Sequence, residues 1–219
     1  MSNSAEMPLA VSDQALKEAE RFVEAEEGAS NRLRGSLGLF VTAALVAMSV
    51  FHLYTAYAIV PTQVLRPLHV AIVLFLSFLL FPIAKRFRDR VMWWDWLAAI
   101  VPIVVVAYMI QGGDNFTDRN TLPNQWDLYL GVALIILILE AMRRTTGWIM
   151  PVVVIAFLLY ALFGEQLPGS WAHRNYDIGR LTGHLYMTLE GIFGAAIDVS
   201  SSLIILFTIY GAFLNRSEE

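Results

Sequence analysis

Three groups of side chains in this sequence have the types and spacing to do chemistry. Glu140, Arg143 and Arg144 stand three and four residues apart, which on a helix sets both guanidinium groups beside the carboxylate. That trio reads either as an ion pair at a membrane interface or as a subunit or lipid contact, because bidentate arginine suits fixed carboxylates and lipid phosphates. Asp198 precedes Ser200, Ser201 and Ser202. A carboxylate with three hydroxyls at a helix entrance can cap that helix or contact a small cation. His52 and His69 form the third group; they could serve as axial ligands of a haem or simply hydrogen-bond within the fold.

Other chemistry has no foothold. No Gly-rich phosphate loop, His-Glu metal motif or Ser/His/Asp constellation is present, so no catalytic residue, no metal ligand set and no enzyme is expected. The chain has no cysteine, which excludes disulfides, thiolate metal sites and cysteine nucleophiles.

The elements that must position these residues are membrane helices. Of the residues, 57% are apolar and 16% charged, against roughly a quarter charged in a soluble domain. Mean hydropathy is +0.58. From Gly35 to Leu65 there is no Asp, Glu, Lys or Arg. A hydrocarbon core of about 30 Å needs roughly 20 helical residues, and lipid offers no partner for a free backbone group. The apolar runs are continuous rather than alternating, which selects helices over a barrel. The expected fold class is therefore all-α, a polytopic membrane protein with about six spans near 36–59, 67–84, 94–111, 126–142, 147–164 and 197–215. The first and fifth are the most apolar. The fourth is interrupted soonest, its charge-free part running only from Leu128 to Leu139, and it works if Asp127 and Glu140 sit at opposite interfaces. Trp93, Trp94, Trp96, Trp126 and Trp148 fall at span ends, as an aromatic belt requires.

Basic residues give the orientation. With the N-terminus cytoplasmic, that side holds eleven of the fifteen Lys and Arg residues, leaving Arg66, Arg119, Arg174 and Arg180 outside. Residues 1–35 form a cytoplasmic segment in which Ser12 could cap an acidic, Ala/Glu-rich helix, read either as a solvated tail or as a docking helix. Its acidic residues do not fit a signal peptide. Between Gly164 and Asp198 the pattern is irregular. Ile178, Leu181, Leu185, Leu189 and Ile192 recur at helical spacing and suit a helix lying in the interface, ended by Gly191, Gly194 and the Ala195-Ala196 pair. No internal repeat of an inverted-repeat transporter is visible.

The string LEAMRRTTGW from Leu139, continuing through Pro151 to FLLYALFG and LPG, and HLYMTLEGIFG followed by VSSSLIILFTIYGAFLNRS, resemble the N-terminal part of a fused permease. The family is the tripartite ATP-independent periplasmic (TRAP) transporters, in the branch with TAXI-type binding proteins. The resemblance covers nearly the whole chain, and its specific part lies between Leu139 and Ser217. It implies a secondary transporter of a bacterial inner membrane, in which a periplasmic binding protein hands a solute, often an organic acid, to a permease driven by an ion gradient, commonly sodium. On that resemblance residues 36–146 correspond to the four-helix Q-type scaffold, and residues 147–219 to two further spans opening the M-type transport part. The family continues into many more helices where this chain ends at Glu219, so the substrate-binding residues stay unknown and the coupling ion is expected to bind in the missing part. Expected partners are the M-type part, a TAXI-type binding protein and membrane lipid, with no nucleic acid and no resident cofactor. Alternatives are a haem-bearing anchor of a redox complex through His52 and His69, and a remnant that inserts without transporting.

Overall fold

The computed structural model describes Leu16, Glu18, Asn31, Leu33, Phe87 and residues 35–84 and 90–217. The acidic helix expected at Ser12, and most of the basic residues flanking the first two spans, lie outside the described residues. Among those described, all regular structure is helical. In chain order the helices are α1 (Gly35–Tyr57), α2 (Thr62–Leu80), α3 (Trp93–Asp118), α4 (Gln125–Thr146), α5 (Ile149–Leu162), α6 (Ile178–Met187) and α7 (Ala195–Ser217). Five of them, α1 to α4 and α7, are long and apolar enough to cross a membrane.

α2 is the axis of the bundle. It packs most closely against α3, and Val70, Leu74, Phe78 and Leu79 on α2 meet a core that includes Ala99, Val105, Met109, Phe116, Leu134 and Tyr186. α2 opens behind Pro61, which has no N–H to lose there, and so starts five residues before the expected boundary at residue 67. Arg66 is thereby inside the helix, and its charge is matched by Asp198 rather than left to water. α3 contains Pro102 and breaks at Gly113, whose φ of +50° and ψ of −134° only glycine adopts without strain. The last turn of α3 is consequently offset from its membrane-length part.

α4 extends well beyond its charge-free stretch. Asn124 caps it, accepting from the Asp127 N–H at 2.8 Å, while the Asp127 carboxylate accepts from the Asn124 N–H at 3.0 Å. This reciprocal capping satisfies two otherwise orphaned donors. Gly147, at φ +82°, ends the helix.

α5 departs from its expectation. It was among the most apolar spans, yet it forms only 14 helical residues, about 21 Å long and short of a 30 Å core. Its far end is stopped by a folded-back segment. The Tyr176 N–H donates to the Ala161 carbonyl, the His173 N–H donates to that of Gly164, and the His173 ring fills the space a side chain at Gly164 would need. Apolarity alone measured the run correctly but could not show where these bonds would end the helix.

α6 also differs from the interfacial helix expected over 178–193. It stops at Met187, Asp177 caps it, and the face it buries is Thr182, Gly183, Tyr186 and Met187. Ile178 is exposed. The helix sits on α4 and α3 because small residues let it approach. A Cβ at Gly131 would strike Thr182 and Tyr186, and one at Gly183 would strike the Asn120 carbonyl oxygen. The Tyr186 hydroxyl donates to the Val105 carbonyl at 2.9 Å, and burial pushes its pKa up.

Candidate functional site

Polar side chains inside the bundle gather in three clusters. A carboxylate at the centre of a span costs about 2.5–3.5 kcal/mol on insertion scales, so each must find a partner.

The first cluster lies at the end of the bundle shared by Leu80, Trp93 and Thr146. The Arg144 guanidinium donates to Asp95 Oδ1 at 2.6 Å, to Glu140 Oε1 at 2.8 Å and to the Phe81 carbonyl at 3.1 Å. Arg143 donates to both Glu140 oxygens at 2.7 Å. Arg144 also lies over the Phe78 ring at 5.0 Å and Arg143 over Trp148 at 5.5 Å. Arg144 and Asp95 are 3% and 1% exposed, which makes this an interior staple of α2, α3 and α4. The expected trio is therefore assembled. Asp95 was missed in the sequence, although a carboxylate in the first turn of a span is itself a signal that an arginine must meet it.

The second cluster lies at the opposite end. Asp127, fully buried, receives Arg119 through Nε at 2.6 Å and Nη2 at 2.9 Å, and the Tyr108 hydroxyl at 2.9 Å. Arg119 lies between α3 and α4, and its hydrogen bond to Asp127 raises its pKa, with burial opposing. Asp127 and Glu140 lie toward opposite ends of α4, and Asp127 is paired within the fold by an arginine eight residues earlier.

The third cluster joins α1, α2 and α7. His52 Nδ1 meets the Met48 carbonyl at 2.8 Å, His52 Nε2 meets His69 Nδ1 at 2.9 Å, and His69 Nε2 meets Ser200 Oγ at 3.1 Å. Their rings stand edge to face with centroids 5.0 Å apart, His52 fully buried and His69 4% exposed. One turn nearer the start of α2, Arg66 donates to Asp198 Oδ1 at 2.8 and 3.0 Å and to the Phe193 carbonyl at 3.0 Å.

The serine-rich entrance of α7 does not cap the helix as expected. Gly194 occupies the N-cap position, and Asp198 lies in the first turn facing Arg66. Ser201 and Ser202 both donate to the Asp198 carbonyl, at 3.2 and 2.6 Å, while Ser200 turns to His69. These three serines open a π-helical turn, Ser200–Ile204, a widened geometry that recurs at functional sites.

The histidine geometry also bears on haem. An iron held between two imidazoles needs their nitrogens about 4 Å apart, given metal–nitrogen bonds of about 2 Å. At 2.9 Å the facing nitrogens share a proton instead, and a haem does not fit between them. Among the described residues no group of three or more His, Asp or Glu side chains could hold a metal ion.

Fold and clusters together define an all-helical protein with five helices suited to crossing a membrane. No family model matches the chain, and neither a curated protein nor a solved structure is found to be similar to it.

Proposed function

We propose that this chain is a membrane scaffold and assembly segment of a TAXI-type TRAP permease, serving ion-driven uptake of a solute such as an organic acid. The observation that carries the reading is the uneven burial of an apolar bundle. Along the spans, 44% of α2 is buried against other helices but only 6% of α7, and α5 buries Pro151 alone. α2, α3 and α4 close around a core riveted by arginine pairs. α1, α5 and α7 leave long apolar flanks, including Phe207, Tyr210 and Phe213 on α7, and a following M-type transport part would cover those of α5 and α7. This arrangement agrees with the resemblance read from Leu139 to Ser217.

In this reading the Thr146 end is cytoplasmic and the chain crosses a bacterial inner membrane six times. α5, though short, supports the sixth crossing. Its far end bonds to Tyr176, and Gly179 just beyond lies near Pro123, at the end opposite Thr146. The loops at that opposite end would face a periplasmic TAXI-type binding protein, while the coupling ion, commonly sodium in that family, would bind in the transport part.

Immunoblotting of native membranes with an antibody to residues 11–34 tests the proposal. It expects a band well above 24.6 kDa, or a 24.6 kDa band that co-purifies with a large polytopic partner. A 24.6 kDa band that travels alone overturns it.

A further inference from the structure

The His52–His69–Ser200 chain has an internal logic of donors and acceptors. The Met48 carbonyl can only accept, so His52 must carry its proton on Nδ1. A neutral His52 then offers a bare Nε2, which obliges His69 to be protonated on Nδ1. His69 Nε2 is left bare, and the Ser200 hydroxyl must donate to it. Every bond in the chain is made with both rings uncharged, and all of them point the same way, from α7 through α2 into α1. That suits burial in an apolar span, where an unpaired charge would be costly.

The same chain can accept one proton with a single local movement. A proton placed on His69 Nε2 becomes a donor, and Ser200 need only rotate its hydroxyl from donating to accepting. The resulting imidazolium keeps its Nδ1–H bond to His52 and shares its charge across the 2.9 Å bridge. A second proton is opposed by like charge at that distance. The charged groups that face this site from the three packed helices are Arg66 on α2 and Asp198 on α7; α1 contributes no charged residue. Arg66 and Asp198 neutralise one another, so neither fixes the protonation state of the pair. Asp198, two residues before Ser200, has a side chain that is 49% exposed and paired with Arg66.

We infer that His52, His69 and Ser200 form an intramembrane site that binds one proton. The assignment rests on the geometry of the chain and holds whether or not the protein belongs to a permease. It also gives the π-helical turn a role, since that turn begins at Ser200, the residue which switches between donor and acceptor.

The test is ¹⁵N NMR of histidine-labelled full-length protein in lipid bilayers between pH 9 and 4, with His173 and His184 signals assigned through H173Q and H184Q. At high pH both rings of the pair should show protonated Nδ1 and bare Nε2. On acidification the two rings should shift together, with one midpoint and one proton taken up. S200A should lower that midpoint by about one pH unit, a roughly tenfold loss expected when a hydrogen bond to a charged group is removed. Two independent protonations, no change across the range, an Nε2–H tautomer at either ring at high pH, or a midpoint indifferent to S200A would each overturn the inference.

Discussion

Two polar clusters in this bundle bury comparable amounts of hydrogen-bonding capacity by opposite means. At the Thr146 end, Arg144 and Arg143 meet Asp95 and Glu140 as permanent ions of opposite sign. Near the Tyr57 end, His52 and His69 bond to each other in a chain that both rings can complete uncharged. The first arrangement is built on arginine, which stays protonated, so it offers no spare acceptor for a proton to occupy. The second can change state at the cost of rotating one hydroxyl. The contrast teaches that a membrane bundle can be fastened and made responsive with polar groups packed between its helices; what decides is whether the pair is an ion pair or a neutral chain with spare acceptor capacity.

The comparison is broken most severely by removing an arginine. Arg144→Met leaves Asp95, 1% exposed, without its 2.6 Å partner. Breaking a buried pair from one side typically costs about 3–5 kcal/mol. A denaturant titration of the protein in mixed micelles should show a loss of that order, with much of it recovered in the double variant Asp95→Asn/Arg144→Met. If the single variant were as stable as wild type, the cluster would not be a staple.

Gly183→Ala comes next and serves as a steric control on both clusters, since it touches neither. Its new Cβ meets the Asn120 backbone oxygen, which cannot swing aside as a side chain can. Overpacking costs about 1–3 kcal/mol, and an obstacle of backbone puts this case near the upper end. Hydrogen exchange should report the loss locally, at the α6 contact with α3 and α4, while exchange around His69 stays as in wild type.

Replacing the histidines sharpens the contrast further. His69→Leu strands the bare Nε2 of His52 and the Ser200 hydroxyl, at about 1–3 kcal/mol for the buried groups left without partners. Replacing both rings, His52→Leu with His69→Leu, removes that mismatch between the rings and should be less destabilising than the single change. In the arginine cluster the matching rescue by Asp95→Asn should be incomplete, because Glu140 also loses a donor when Arg144 is replaced. Equal stability losses for the single and double histidine variants would show that the rings do not depend on one another.

Much of the fold was legible in the sequence, and the reasons for the rest are physical. Spans longer than 18 apolar residues announce themselves by composition, and α1, α3, α4 and α7 lie within a few residues of where apolarity put them, apart from the polar turns that extend α3 and α4. The places where reading failed are set by contacts between distant residues. α2 can hold Arg66 within it because Arg66 meets Asp198, 132 residues away. α5 ends early because the 173–176 segment folds back onto it. α6 buries Thr182 and Tyr186 rather than its leucine stripe because Gly131 and Gly183 permit close approach. For the sites, the chemistry of Glu140, Arg143 and Arg144 was visible from spacing, but their link to Asp95 was not, since no local pattern ties residue 95 to residue 144. The two histidines were recognised as a pair, and their hydrogen bond could not be told from a shared metal until the nitrogens were placed 2.9 Å apart.

The smallest effect is expected at the third ion pair, and it decides how the two regimes meet. Arg66 and Asp198 resemble the Thr146 cluster in chemistry but adjoin the histidines in space, and their side chains are 16% and 49% exposed. Water and salt screen such a pair, so Asp198→Asn should cost no more than about 1 kcal/mol, and less at high ionic strength. Its electrostatic effect should be clearer than its effect on stability. Removing the carboxylate leaves Arg66 as an unopposed positive charge one turn from His69, which disfavours a proton on the pair, so the midpoint read by NMR should fall. Asp198→Glu keeps the charge and should keep the midpoint close to wild type. If Asp198→Asn instead destabilised the protein as strongly as Arg144→Met and left the histidine midpoint where it was, this pair would be a staple like the one at the other end, and the division between fixed and responsive ends of the bundle would fail.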